Sequence, residues 1–350
     1  MHLLLVGQGI AGSTIALQAE RSGIQITNIS LPLLSNSSRV ASGLWNPVVL
    51  KRMTLVWRAG EMLDALEHFY PWAEEVTEAF FYHPMPIFRL FHSVAEVNDW
   101  QAKSAQPLWD TILEPNVVEL PEYIQAPYGA GRMKRTGWVD TRAYMEAVHR
   151  KLQFQEKVFF EEFHYDRLKI LDSGVEYAGI RYDGVIFADG IHGWQRNPWF
   201  PRTFMRPTRG DVLTLSDLPD SWDFVLHFSH FVLPIDAGRW KLGATYDFRH
   251  LSPHPNLLMA KEMLRDLKKI AQVQPEIIEL NAGLRPNTKD RRPLIGSHPQ
   301  YPQLYFINGL GSRGILMAPK LAEWLLDYIL RGSPIPAETD LKRCFDQKKN

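Results

Sequence analysis

Apolar and polar positions along the chain fall into a strand–helix–strand pattern from the first residues. His2 to Val6 is a short apolar run. It is followed by Gly7, Gly9 and Gly12, then by Ile10, Ile15, Ala16 and Ala19 near helical spacing, with Gly23 placed to stop the helix. Ile24 to Ile29 alternates as IQITNI, which predicts a second strand. The segment from Leu31 to Arg52 is rich in Ser and Asn and reads as a loop running back over the mouth of this unit. Trp57 to Phe80 repeats Met62, Leu63, Leu66 and Phe69 at helical spacing, with Pro71 expected to break it. Phe81 to Leu90 reads as a strand that its prolines assign to a sheet edge.

In the middle of the chain, Gly137 to Lys151 predicts a helix with Asp140 or Thr141 as its N-cap. KVFF, LKIL, GVEYAGI and GVIFADG then read as short strands, as do DVLTL, HFVLPI and WKLGATY. Pro255 to Val273 has the pattern of an amphipathic helix. Near the C-terminus a strand, Leu304 to Ile307, enters a second glycine-rich turn at Gly309, Gly311 and Gly314. A helix follows through Leu321, Leu325 and Leu326 to Gly332. Strand, glycine turn and helix thus occur at both ends, so both helix N-termini can face one long ligand. The pattern predicts an α/β core built from both ends of the chain, with a strand-rich part inserted.

The first turn carries chemistry. G-x-G-x-x-G between a strand and a helix is a dinucleotide-binding fingerprint. Gly7 permits the tight turn, Gly9 lets a pyrophosphate approach the backbone, and Gly12 lets helix and strand pack closely. The helix N-terminus offers N–H groups and partial positive charge to phosphates. Ser30 stands where such units usually place a carboxylate for the adenosine ribose. That change removes a charge-assisted hydrogen bond or two, roughly 1.5–3 kcal/mol each at most. It predicts a weaker or differently held adenosine, not an empty site.

Composition narrows the picture. At 350 residues and 45% hydrophobic content the chain can bury a large core, with about two domains expected. Basic and acidic residues balance at 39 each, which argues against a broad surface for nucleic acid or an anionic membrane. GRMKR, Gly131 to Arg135, is a local basic run and reads as a solvated loop. Cys344 is the only cysteine, which excludes an internal disulfide or a cysteine metal site and fits a reducing compartment. The opening apolar run is too short for a signal-peptide core, and no stretch approaches the roughly 20 apolar residues of a membrane span. The expectation is a soluble, cytoplasmic protein.

Several segments in order along the chain resemble the D-amino-acid oxidase superfamily of FAD enzymes, whose branches include glycine oxidase and sarcosine oxidase. They are VGQGIAG at Val6, SSRVASGLWNP at Ser37, TGWVDTRAY at Thr136, LGATYDF at Leu242, AGLRPNTKDRRPLIGSHP at Ala282 and NGLGSRGILMAP at Asn308. The resemblance implies a Rossmann-like FAD-binding domain of residues 1–78, 136–200 and 283–350. A mostly antiparallel β substrate domain would comprise 79–135 and 201–282.

It implies non-covalent FAD, since the closing turn lacks the cysteine of the sarcosine-oxidase branch. Adenosine is expected near Ser30 and pyrophosphate near Gly7, Gly9, Ile10, Ala11 and Gly12. Ser37, Ser38, Ala188 and Gly190 are expected alongside. The isoalloxazine is expected between Ser42, Gly43, Leu44 and Trp45 and the turn of Gly311, Ser312, Arg313, Gly314, Ile315 and Leu316. Backbone N–H groups there would face the pyrimidine end of the flavin. Arg285, in G-L-R-P, matches the family's substrate-carboxylate clamp; the alternative is an arginine tying two strands together through Asp290.

Tyr246 is a candidate for a substrate hydrogen bond, with core packing equally open. Glycine oxidase has an arginine one position before Arg313, so a second carboxylate contact is not expected. His192 and His298 are read as structural. HFSH, His227 to His230, is read as alternating on one strand without a carboxylate to complete a metal site. The implied activity is oxidation of an amino acid or related secondary amine, with oxygen or another acceptor. The alternatives are oxidation of a modified tRNA base, as in the oxidase half of a bifunctional tRNA-uridine enzyme, and a non-catalytic flavin-binding or redox-partner subunit.

Overall fold

The computed structural model describes residues 1–31, 37–236 and 238–345. Four strands, Gln25–Ile29, His2–Val6, Gly184–Phe187 and Leu304–Asn308, lie parallel and in that order. Val158–Phe159 extends one edge in parallel, and Leu294–Ser297 closes the other antiparallel. Alternation along the central strand divides the core. Leu3 and Leu5 face the helical layer of Ile10–Arg21, Ala59–Thr77, Thr141–Phe154 and Gly314–Arg331. Leu4 and Val6 face Val175, Tyr177 and Tyr182 of a three-stranded meander, with Phe200 and Leu341. Both faces are covered, so the two central strands, His2–Val6 and Gly184–Phe187, are apolar on both sides from Leu3 to Val6 and from Val185 to Phe187.

A second sheet has eight strands, in the order Glu276–Arg285, Thr208–Ser216, Arg239–Gly243, Phe231–Asp236, Val225–His227, Ile87–Leu90, Ala130–Met133 and Leu113–Val118. Every pairing is antiparallel except Val225–His227 beside Ile87–Leu90. Helix Leu257–Ile270 covers one face, its Ala260, Met263 and Leu267 packing in a cluster with Leu213, Leu215 and Leu242. The other face, with Gly210, Val212, Val225 and Gly243, lines a cavity toward the first sheet. The mixed α/β architecture is the one expected.

Local capping follows the sequence. Asp140 caps Thr141–Phe154, accepting hydrogen bonds from the Arg142 and Ala143 N–H groups. Gly23 and Gly332 take positive φ at the ends of their helices.

Several expectations fail. GVEYAGI is not one strand: Val175–Tyr177 turns at Ala178 and Gly179, both at positive φ, into the antiparallel Ile180–Tyr182. Pro71 does not break its helix, which runs from Ala59 to Thr77. Pro71 is exposed, so the bond forfeited by its missing N–H lies on the solvent side, where water can serve the freed carbonyl. Phe81 to Leu90 is two strands in two sheets, Tyr82–Pro84 and Ile87–Leu90, and the second is interior, not an edge. Pro86 falls between them and leaves the second strand free to pair on both sides.

GRMKR is not a solvated loop. Ala130–Met133 is a strand, Arg132 pairs with Glu114 at 2.5 Å, and Arg135 pairs with Asp64 and Glu67 at 2.6 Å each. HFSH is not one strand, since His227 ends Val225–His227 and His230 precedes Phe231–Asp236, the antiparallel strand it pairs with. His230 does have a carboxylate neighbour, Asp266, at 3.5 Å.

Of the segment read as a loop, Ser37–Val40 is one helical turn and residues 32–36 lie outside the described residues. Among the described residues no helix is long and apolar enough to cross a membrane, and no group of three or more His, Cys, Asp or Glu could hold a metal ion.

Candidate functional site

The two glycine turns meet at one cavity of about 2030 Å³. On its first wall, Gly7 has φ 98°, and a Cβ there would lie 2.7 Å from the Ala188 carbonyl oxygen. A Cβ on Gly12 would lie 2.1 Å from the Gly7 carbonyl oxygen, so only glycine lets the helix start this close to the strand. Helix Ile10–Arg21 has no side-chain cap. Its Ile10 N–H donates to the Ser38 hydroxyl at 3.1 Å, which draws the Ser37–Val40 turn over the helix start. The Ser37 hydroxyl donates to the Leu284 carbonyl, tying this turn to the second sheet.

On the opposite wall, Asn308 donates to the Gly190 carbonyl at 2.9 Å and accepts from the Gly309 N–H at 2.8 Å. Helix Gly314–Arg331 then begins, again without a side-chain cap. Arg313 donates to the Asn46 carbonyl at 3.0 Å and so fastens the Leu44–Val49 segment across the cavity.

Every site residue named from the sequence lines this cavity except Gly12, whose place is between helix and strand. Trp45 reaches it only in part. Its ring is 2% exposed, stacks on Tyr82 at 4.9 Å, and donates from Nε1 to the Arg135 carbonyl. Ser30 lines the cavity at the end of Gln25–Ile29, with its N–H donated to the Phe159 carbonyl. His192 lines the cavity too, and burial lowers its pKa below the ordinary imidazole value. His298 is stacked on Tyr301 and accepts from the Gln300 N–H, outside the cavity lining.

Arg285 stands at the second sheet's end of the cavity. Its Nη1 donates to the carbonyls of Thr245 at 3.0 Å and Arg209 at 3.3 Å, and its guanidinium lies 4.2 Å from the Tyr246 ring centre. It does not bridge strands through Asp290, which pairs with Arg343 instead. Among the described residues Arg285 has no ion-pair partner. Burial lowers its pKa, opposed by Tyr246 and Asp211, yet a guanidinium stays charged. Asp211 is fully buried behind it, accepting from the Thr245 hydroxyl at 2.6 Å and the Asn256 N–H at 2.8 Å.

Sequence reasoning missed several lining residues. Asp189 follows strand Gly184–Phe187; its carboxyl accepts from the Tyr165 hydroxyl and Asn197, while Oδ1 is buried without a partner. Burial raises that carboxyl to about 6. Arg89 and His227 also line the cavity, on neighbouring strands. The alternation in VLH and IFRL was the available signal, but only the pairing of the two strands brings these residues together.

The chain is similar to known proteins in sequence and in fold. Glycine oxidase of Bacillus licheniformis is 33% identical over 135 residues, covering 38% of this chain and 36% of that protein. The tRNA 5-methylaminomethyl-2-thiouridine biosynthesis bifunctional protein MnmC of Marinobacter nauticus is 24% identical over 377 aligned positions, covering 97% of this chain and 57% of that protein. Both alignments thus span less than two thirds of the curated relative. The crystal structure of iminodiacetate oxidase from Chelativorans sp. BNC1 superposes with a TM-score of 0.76 at 19% identity, covering 97% of this chain and 99% of that one. Residues 2–328 match the DAO family description, FAD dependent oxidoreductase, and the chain belongs to that family.

Proposed function

We propose that the protein oxidises the C–N bond of an amino acid or related secondary amine. FAD is the family's cofactor, and the cavity fits it. Two helix starts without an N-cap side chain line one trough, the first with its Ile10 N–H donated to Ser38, and glycines stand where a Cβ would collide with backbone. In this reading Gly7, Gly9, Ile10 and Ala11 hold the pyrophosphate, with Ser37, Ser38, Ala188 and Gly190 beside it. Ser30 takes the adenosine ribose. Ser42, Gly43 and Leu44 and the residues Gly311 to Leu316 flank the isoalloxazine. Cys344 is outside the cavity lining, and burial raises its thiol to about 12, which supports non-covalent binding. When bound, FAD supplies a two-electron acceptor for the hydride of the carbon next to nitrogen.

The observation that carries the proposal is Arg285. A charged guanidinium without an anionic partner, held by two carbonyls at the wall of a cavity, is poised for a carboxylate. The Tyr246 ring against its guanidinium restrains its plane. No side chain need act as a strong base if the amine enters neutral, since the C–H bond breaks with both electrons. Water then hydrolyses the imine outside the chain's own chemistry, and oxygen or another acceptor takes the electrons onward. Anaerobic mixing with amino acids and N-alkyl glycines tests this. Loss of the flavin's visible absorbance with one of them supports the reading, and none with any amine contradicts it.

A second reading, oxidation of a modified tRNA base, is favoured by the lining of the cavity. Arg206, Lys289 and Arg291 line the cavity without ion pairs among the described residues, as do Tyr246 and Phe248, which are 54% and 63% exposed. Cations interleaved with exposed rings suit single-stranded nucleic acid. Binding of tRNA that weakens steeply with salt would support it; no binding at low salt would remove it.

A further inference from the structure

The cavity continues well past Arg285. The guanidinium of Arg285 folds over Gly210, where an added Cβ would lie 2.0 Å from Nη2. From that strand to Ile87–Leu90 the sheet order counts four steps, roughly 19 Å at about 4.8 Å per step. At this far end Arg89 and His227 are register partners on parallel strands. Alternation puts both side chains, with Ile87 and Val225, on the cavity face, while Phe88 and Leu226 join the core under helix Leu257–Ile270.

The far end is built for a ligand. A side chamber of about 190 Å³ opens among Lys51, Arg52, Arg89, Glu96 and Asp99; the first four line the main cavity as well, and Asp99 pairs with Lys103 at 3.6 Å. Arg89 is 7% exposed and pairs with Glu96 at 3.2 Å. Glu96 also accepts from the His92 N–H, so this carboxylate is committed. Lys51 and Arg52 are exposed on the turn above and have no ion pair among the described residues. His227 Nδ1 is buried without a hydrogen-bond partner. Burial, followed by the nearby Arg89, His230 and His92, holds the His227 ring down to about 3, so it is neutral and able to donate from one nitrogen. A buried polar atom without a partner is costly, and a ligand that bonds to it removes the cost.

We propose that this annex, formed by Arg89, His227, Lys51 and Arg52, binds an anionic group, a carboxylate or a phosphate, at the far end of an extended substrate. Assigning the anion to the substrate rests on the amine-oxidation reading; the site itself does not. A free amino acid is too short to reach from Arg285 to Arg89, so the annex selects for an amine that carries its second charge on a long arm.

The test is isothermal titration of the full-length, FAD-loaded protein with inorganic phosphate and, separately, with glutarate. The titrations are made in Arg285→Met, which removes the carboxylate clamp at the other end of the cavity, and saturable binding of at least one probe is expected to remain. The tighter of the two tells a phosphorylated end from an acidic one. Arg89→Met is expected to weaken it about tenfold to a hundredfold, the size of a lost charge-assisted hydrogen bond. Because Arg89 is buried, the double variant Lys51→Met, Arg52→Met on the exposed turn provides a second test and is expected to weaken binding severalfold. Binding of neither probe in Arg285→Met, or binding there that survives both Arg89→Met and the double variant, overturns the proposal. None of these readouts depends on amine oxidation, so the annex and the oxidase reading fail separately.

Discussion

The Arg285 guanidinium lies 4.2 Å from the ring centre of Tyr246 and spends its Nη1 on two main-chain carbonyls, those of Arg209 and Thr245. A cation arranged this way is fixed in place but not neutralised. Its charge is available to whatever enters the cavity.

Replacing it should therefore be felt mainly in substrate binding. Arg285→Met is expected to lower kcat/KM for a carboxylate-bearing amine by about tenfold to a hundredfold, with most of the loss in KM. Arg285→Lys should recover little, because an ammonium cannot form the bidentate pair. Steady-state kinetics on the FAD-loaded variants checks this; an unchanged KM would contradict the clamp.

Ser30 supplies a test of cofactor placement. Ser30→Glu restores an acceptor carboxylate at the end of Gln25–Ile29, where Ser30 lines the cavity. FAD should bind about tenfold or more tightly, as for one added charge-assisted hydrogen bond. Quenching of free-flavin fluorescence gives the two Kd values. No tightening would mean that the adenosine lies elsewhere.

Much of this was legible in the sequence because it is local. The strand, glycine turn and helix at each end lie within about thirty residues, the span of one supersecondary unit. Asp140 caps its helix through N–H groups two and three residues on. What was not legible depends on distant pairing. Arg89 and His227 become neighbours only because Ile87–Leu90 enters the second sheet beside Val225–His227, and prolines around Ile87 pointed instead to an edge. Pro71 misled because propensity does not record which side of the helix faces water. The conformation of Trp45 was open for the same reason, since its stacking partner Tyr82 comes from another strand.

Trp45 gives a prediction of its own. With its ring packed on Tyr82 and bonded to the Arg135 carbonyl, Trp45→Phe should destabilise the fold by about 1–3 kcal/mol. The flavin absorption maxima should stay where they are. Thermal unfolding and a visible spectrum decide it. A displaced flavin spectrum at unchanged stability would mean that the indole touches the isoalloxazine.

Asp189 predicts a pH dependence. Burial raises its carboxyl from 3.8 to about 6 in the folded chain. The protonated form is thus favoured by folding, and its stabilisation is full below the unfolded pKa and lost as pH rises through about 6. Asp189→Asn should remove this dependence. Relative to the native protein it should gain on the order of 2 kcal/mol between pH 4 and pH 7. Denaturant unfolding at both pH values measures the gain; an equal difference at the two would contradict it.

The most direct test of the central claim is anaerobic titration of the FAD-loaded protein with a carboxylate-bearing amine, followed by visible absorbance, alongside Arg285→Met. Amine oxidation at this site predicts that the flavin bleaches in the native protein at a substrate concentration where Arg285→Met bleaches far more slowly. A flavin that dithionite reduces but no amine bleaches would contradict it.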